Sequence, residues 1–186
     1  MDNSKYLKVL LERVILTNHE FRNGSNPDSI YLVGFTEEHL DELEKNVKDA
    51  LKALKKVYKI VECVNKNFID IVEELSGIKY KTNQHAYEAL KQVQLNNNIV
   101  IILKQFSLSK SKNRAAGLCH GLIKNLDDAH FDNIHPQSDL IFIDYASFLE
   151  KHFEEIGPYV VYNIWPNNQT LQEYFTQLFY LKSVSN

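Results

Sequence analysis

The chain has 186 residues, of which 44% are hydrophobic, enough for one domain with a sizeable core, so we predict a single domain over residues 1–186. The formal net charge of -3 excludes a general electrostatic attraction to nucleic acid, and direct nucleic-acid contact is not expected. Two cysteines are too few for a disulfide framework, and no apolar run reaches the roughly 18 residues of a membrane span, so we expect a cytoplasmic protein without such a span.

The first part of the chain predicts a helix, a turn-rich connection and a strand. The helix extends over about residues 4–16, and the strand covers the β-branched and aromatic stretch Ile30 to Val33. Gly34 ends this strand. Thr36 can cap the next helix, because the two glutamates that follow it suit the positive end of a helix dipole.

The segment from residue 36 to residue 76 has two interpretations. Apolar residues recur there at alternating steps of three and four, which predicts one long helix ended by Gly77. Alternatively, Val57 to Val64 is a strand between two helices, because six of its eight residues are β-branched, aromatic or cysteine. A helix of this length is rare in a compact domain, so base rates favour the broken version, but the pattern leaves both open.

The second half of the chain centres on five consecutive large apolar residues, Ile99 to Leu103. Such a run predicts a strand that is buried on both faces, as in a parallel sheet. Two more strands are predicted at residues 140–143 and 159–164. Predicted helices separate or follow these strands, beginning near Thr82, Arg114, Ala146 and Thr170.

Strands that alternate with helices predict an α/β fold, with a mostly parallel sheet of four or five strands flanked by helices. If residues 36–76 form one helix instead, the chain is mainly α-helical and suits a helical adaptor. In parallel sheets, ligands bind at the carboxyl ends of the strands. The segment from Gly34 to Asp41 occupies such a place, and so does Asp144, which could equally cap the next helix.

The order of these elements resembles the AAA+ branch of the P-loop NTPases, with residues 34–41 in the place of the phosphate loop. The loop of that family needs a second glycine, a lysine and a hydroxyl residue to hold phosphate and magnesium. Those places hold His39, Leu40 and Asp41 here. The central strand of the family ends in acidic residues that organise metal and water, whereas this one ends in the pair Lys104 and Gln105.

These departures imply that a domain of this family has lost nucleotide hydrolysis. The resulting hypothesis is a non-catalytic interaction or assembly subunit, a pseudo-ATPase without cofactor or metal, whose partner is another protein subunit. Gly34 and Thr36 are then the remnants of a degenerate cofactor loop. The last predicted helix has a wide aromatic face that is a candidate protein contact, although packing on its own sheet explains the face equally well; its residues are Tyr174, Phe175, Phe179 and Tyr180.

A second hypothesis rests on Cys119, at or near a predicted helix start, where the helix dipole would stabilise a thiolate. The string GLCHGL around it resembles the nucleophile motif of some bacterial effector cysteine peptidases. The resemblance implies a hydrolase or transferase with Cys119 as nucleophile and His120 as a candidate partner. The competing interpretation is a small buried core residue. The seven histidines match no common zinc spacing, so no metal site is predicted.

Overall fold

The computed structural model describes residues 11, 29–82, 85, 86, 89, 99–115, 140–156 and 160–164. Five strands are found there: β1 (Ser29–Gly34), β2 (Tyr58–Glu62), β3 (Val100–Lys104), β4 (Leu140–Tyr145) and β5 (Val160–Ile164). The helices are α1 (Glu37–Ala53), α2 (Phe68–Ser76), α3 (Ala146–Lys151) and α4 (Phe153–Ile156), with two short 3-10 turns at Phe106–Leu108 and Lys112–Arg114.

The strands form one sheet in the order β2-β3-β4-β1-β5, and every neighbouring pair is parallel. The α/β prediction with a mostly parallel sheet is therefore confirmed. The central run of apolar residues supplies the first four residues of β3, which is buried at all five positions. Because β3 and β4 are parallel neighbours, their carboxyl ends lie side by side. The side of the sheet at which the strands end is called the carboxyl edge below.

The alternative of one long helix over residues 36–76 is wrong. Helix α1 ends at Ala53, and Lys55 has a positive φ of 54°, a conformation that does not continue a right-handed helix. The β-branched and aromatic stretch that follows forms β2, so local propensity outweighs the helical spacing of the apolar residues. Helix α2 then begins with a capping box between Asn67 and Asp70, and it ends at Gly77 with a φ of 75°.

The two faces of the sheet carry separate apolar layers, since successive side chains of a strand point to opposite faces. Helix α1 covers one face, where its apolar side chains pack with those of β1, β3 and β4: Leu40, Leu43, Val47, Ile30, Leu32, Val100, Ile102, Ile141 and Ile143. Helices α2 and α3 cover the other face, which includes Tyr31, Phe68, Ile71, Ile101, Leu103, Phe142 and Leu149. Among the described residues, no helix is long and apolar enough to cross a membrane.

Candidate functional site

The connection from β1 to α1 is the place that the sequence marks as a degenerate phosphate loop. It consists of only Phe35 and Thr36, because α1 begins at Glu37. The Thr36 hydroxyl accepts a hydrogen bond from the backbone N–H of His39 at 3.4 Å, and the His39 imidazole Nδ1 accepts one from the backbone N–H of Phe35 at 3.4 Å. The first turn of α1 and its own side chains therefore close this loop.

Gly34 is required where β1 ends, because the first turn of α1 packs directly against its backbone. A Cβ at this position would lie 2.8 Å from His39 Cβ and 3.0 Å from Leu40 Cδ2. The first of these distances is below any normal contact between carbon atoms, so a larger residue would displace the helix. Gly34 thus serves the docking of α1.

A cluster of charged side chains lies at the carboxyl edge on the face that α1 covers. Lys104 ends β3, and its side chain is only 8% exposed. Its Nζ contacts Asp41 Oδ1 at 2.5 Å and Glu44 Oε2 at 2.9 Å, both on α1, and Glu62 Oε2 at 3.8 Å at the end of β2. Glu44 also pairs with Lys48. This Lys104 cluster fastens α1 to the ends of two strands.

Hydrogen bonding decides the protonation of the cluster. Burial tends to lower the pKa of Lys104, but its hydrogen bonds to Asp41 and Glu44 outweigh burial and raise this pKa above its ordinary value. Burial tends to raise the pKa of Glu44, yet the hydrogen bonds from Lys48 and Lys104 lower it overall. Burial raises the pKa of Glu62, and the charge of Lys104 offsets this only in part. Lys104 and Glu44 are therefore both ionised at neutral pH.

A second polar cluster lies at the same edge on the opposite face, around Asp144 near the end of β4. Its carboxyl group is fully buried and accepts four hydrogen bonds. The donors are the Tyr31 hydroxyl at 3.1 Å, the backbone N–H of Ser107 at 2.8 Å, the Ser107 hydroxyl at 2.5 Å and the backbone N–H of Tyr145 at 2.8 Å. Burial raises the pKa of Asp144, although all four donors oppose the shift. Asp144 thus holds the turn after β3 rather than capping a helix.

The turn after β3 begins in a strained conformation. Gln105 has a positive φ of 53°, which costs energy for a residue with a side chain. Its amide Nε2 donates to the Tyr145 hydroxyl at 2.9 Å, and its backbone N–H donates to the Ile143 carbonyl at 2.8 Å. Asp144 and Gln105 together fix the direction in which the chain leaves β3.

The described part of the chain contains no group of three or more histidine, cysteine, aspartate or glutamate side chains that could hold a metal ion. Its one cysteine, Cys63, is fully buried. Burial and the nearby negative charge of Asp144 both raise the pKa of this thiol, so it stays protonated and unreactive.

The structure brings together some of the residues that the sequence marks and leaves others untested. Gly34 and Thr36 lie in the same short loop, and Asp41 meets Lys104 directly. Sequence reasoning missed Glu44 and Glu62, although Glu44 follows Asp41 by three residues and so shares its helix face. Six candidates lie outside the described residues and stay predictions: Cys119, His120, Tyr174, Phe175, Phe179 and Tyr180.

No protein-family model and no curated protein matches this chain. Among solved structures, the fold is similar to that of Cdc6p from Pyrobaculum aerophilum, with a TM-score of 0.56 at 11% sequence identity. The match covers 87% of this chain and 45% of that chain, so this chain spans less than half of that protein. A likeness at this identity concerns the fold alone. The chain therefore shares the parallel α/β fold of that protein.

Proposed function

We propose that this chain is a non-catalytic protein-interaction or assembly subunit, built on a P-loop-like domain that has lost nucleotide hydrolysis. The observation that carries the proposal is the direct ion pair between Lys104 at the end of β3 and Asp41 on α1, 2.5 Å apart. In the AAA+ pattern these two places hold the acidic residues and the hydroxyl residue that together organise magnesium. Here they hold a cation and an anion that neutralise each other.

The charge of Lys104 opposes a divalent cation at this place. Two like unit charges 4 Å apart repel each other by roughly 4 kcal/mol at the effective dielectric constant of a protein surface, and the second charge of Mg²⁺ doubles the figure. Lys104 keeps its proton at neutral pH because its hydrogen bonds to Asp41 and Glu44 raise its pKa. The carboxylates that would attract a metal are therefore already occupied by an ammonium group.

The loop after β1 also opposes a triphosphate. A phosphate loop works by presenting a series of backbone N–H groups to the anion. Only two residues separate β1 from α1 here, and the N–H of Phe35 already bonds the His39 side chain. Glu37 and Glu38 are exposed in the first turn of α1, where they add negative charge that repels phosphate.

Calorimetry with ATP and Mg²⁺ tests the proposal, and we expect no heat of binding at millimolar nucleotide. Magnesium-dependent ATP binding that Gly34→Ala abolishes would overturn it. Gly77→Ala is the matched control, because it strains the backbone at the end of α2, away from the loop, and costs about 1 kcal/mol of stability. If the unchanged chain binds ATP and both variants lose binding, the loss indicates unfolding of the variants. The binding by the unchanged chain would still show a nucleotide site and would count against the proposal.

The proposed partner surface is the aromatic face of the last predicted helix, formed by Tyr174, Phe175, Phe179 and Tyr180. The sequence pattern supports this surface, because a wide apolar face follows a capping box at Thr170 and Glu173. Deletion of residues 168–186 should release the partner while the circular dichroism spectrum of the remaining domain is kept. Collapse of the domain would assign these side chains to its core instead.

A further inference from the structure

The segment after β3 presents a regular alternation of buried and exposed side chains. Ser107, Ser109 and Ser111 are buried, whereas Leu108, Lys110 and Lys112 between them are exposed. Among the described residues, Leu108 is one of four large apolar side chains that are exposed, at 46%. The three outward side chains are called the Leu108 surface below.

Hydrogen bonds to the neighbouring loop hold this surface in place. The backbone N–H of Asn65 donates to the Leu108 carbonyl at 3.1 Å, and the N–H of Lys110 donates to the Lys66 carbonyl at 2.8 Å. Ser107 is fixed at the start of the segment by Asp144, to which its hydroxyl and its N–H both donate. The outward side chains therefore stand on a backbone that is ordered before any partner arrives, which lowers the entropic cost of binding.

The charge of this segment differs in sign from that of the whole chain. Residues 104–115 contain four lysines and arginines and no aspartate or glutamate, whereas the chain as a whole has a net charge of -3. Lys104 is paired with the carboxylates of its own cluster. The guanidinium carbon of Arg114 lies 5.3 Å from the centre of the Phe68 ring. The exposed lysines at 110 and 112 remain as a positive patch beside an apolar side chain.

We infer that the Leu108 surface binds an acidic protein segment that carries an apolar side chain. Charge complementarity with Lys110 and Lys112 steers and orients the segment, and Leu108 offers the apolar contact that gives such an interface its affinity. The inference rests on the proposed function as an interaction subunit, and it adds the chemistry of one partner.

The same observations favour a protein segment over nucleic acid. A nucleic acid continues as a polyanion beyond the patch, and Glu37 and Glu38 are exposed at the same edge of the sheet, where they repel it. The patch offers lysines rather than exposed arginine forks, and an aliphatic side chain on which bases do not stack as they do on aromatic rings. A short acidic segment contacts only the positive patch formed by Lys110 and Lys112.

Fluorescence anisotropy tests the inference with a labelled five-residue peptide of four glutamates around one central leucine. We expect the full chain to bind it, with affinity lowered about tenfold by Lys110→Glu with Lys112→Glu and about threefold by Leu108→Ala. The matched control is Lys52→Glu with Lys81→Glu, which changes the net charge equally at exposed positions elsewhere. A control variant that weakens binding as much as the Lys110 and Lys112 variant would overturn the inference.

Two further probes separate the remaining outcomes. A peptide with glycine in place of the central leucine should bind more weakly than the leucine peptide, and equal binding would remove the role of Leu108. A ten-nucleotide single-stranded DNA should bind more weakly than the peptide, and tighter DNA binding that depends on Lys110 and Lys112 would overturn the choice of partner. Failure here leaves the calorimetric result with ATP unchanged, so the two proposals are tested separately.

Discussion

Lys104→Met removes the charge of the Lys104 cluster while it keeps a side chain of similar length. A hydrogen bond between charged groups contributes about 1.5–3 kcal/mol, and the bond to Glu44, whose side chain is only 19% exposed, belongs in this range. Asp41 is 64% exposed and Glu62 is 48% exposed, so solvent screens both contacts and each adds at most about 0.5 kcal/mol. We therefore expect the variant to lose about 2–3 kcal/mol of unfolding free energy at pH 7.

The contribution of the cluster depends on pH in a direction that follows from the two pKa shifts. The raised pKa of Lys104 gives stability that is present below the unfolded value of about 10.4 and is lost as pH rises through the higher folded value. The lowered pKa of Glu44 gives stability that is present above its ordinary value and is lost as pH falls through the folded value. The difference between wild type and variant should thus be widest between about pH 5 and pH 10.

Urea unfolding followed by circular dichroism, at steps from pH 7 to pH 3.5, measures this difference. Lys52→Met is the control, because Lys52 is exposed and lies 3.9 Å from Asp49, and we expect it to change stability by less than about 0.5 kcal/mol. A loss at pH 7 no larger than that of the control, or a difference that does not shrink below about pH 4.5, would refute the reasoning.

Three further predictions concern other described residues. Gly34→Ala should cost about 1–3 kcal/mol through the clash with His39, and less in a His39→Gly background, as urea unfolding of the double-mutant cycle would show. Asp144→Asn should cost about 1–3 kcal/mol, because each carboxyl oxygen accepts a backbone N–H and an amide nitrogen cannot; stability equal to wild type would contradict this. Cys63 should resist iodoacetamide until urea unfolds the chain, and rapid labelling at pH 6 that Cys119→Ser abolishes would instead support the cysteine-nucleophile hypothesis.

The fold is largely predictable from the sequence because its strands are short apolar runs of distinctive composition. The run at Ile99 to Leu103 is buried throughout, and its last four residues lie in β3. Gly34 and Gly77 end the elements that they were expected to end. The segment around β2 was ambiguous, because apolar residues at helical spacing continue through it. The positive φ of Lys55 marks the break between α1 and β2, and a lysine gives no sequence signal for that conformation. The predicted helix that begins near Ala146 is divided at His152 into α3 and α4.

The contacts of the site are less predictable, because they join residues far apart in the sequence. Lys104 and Asp41 are 63 residues apart, and Tyr31 and Asp144 are 113 residues apart. Such pairs meet only once the order of strands in the sheet is known, and hydrophobic patterns do not specify that order. Asp144 was recognised as the end of a strand, but its burial under Ser107 and Tyr31 depends on β4 lying between β3 and β1.

The strand order has a consequence for folding during synthesis on the ribosome. Strand β1 is made before both of its neighbours, β4 and β5, and β2 and β3 are made in between. At about 5–20 residues per second, the 113 residues from Tyr31 to Asp144 take roughly 6–23 s to synthesise. During that interval an apolar strand has no hydrogen-bonding neighbour within its own chain. Newly made chains should therefore depend on chaperones that shield the segment around Ile30, Leu32 and Val33 until β4 and β5 have been made.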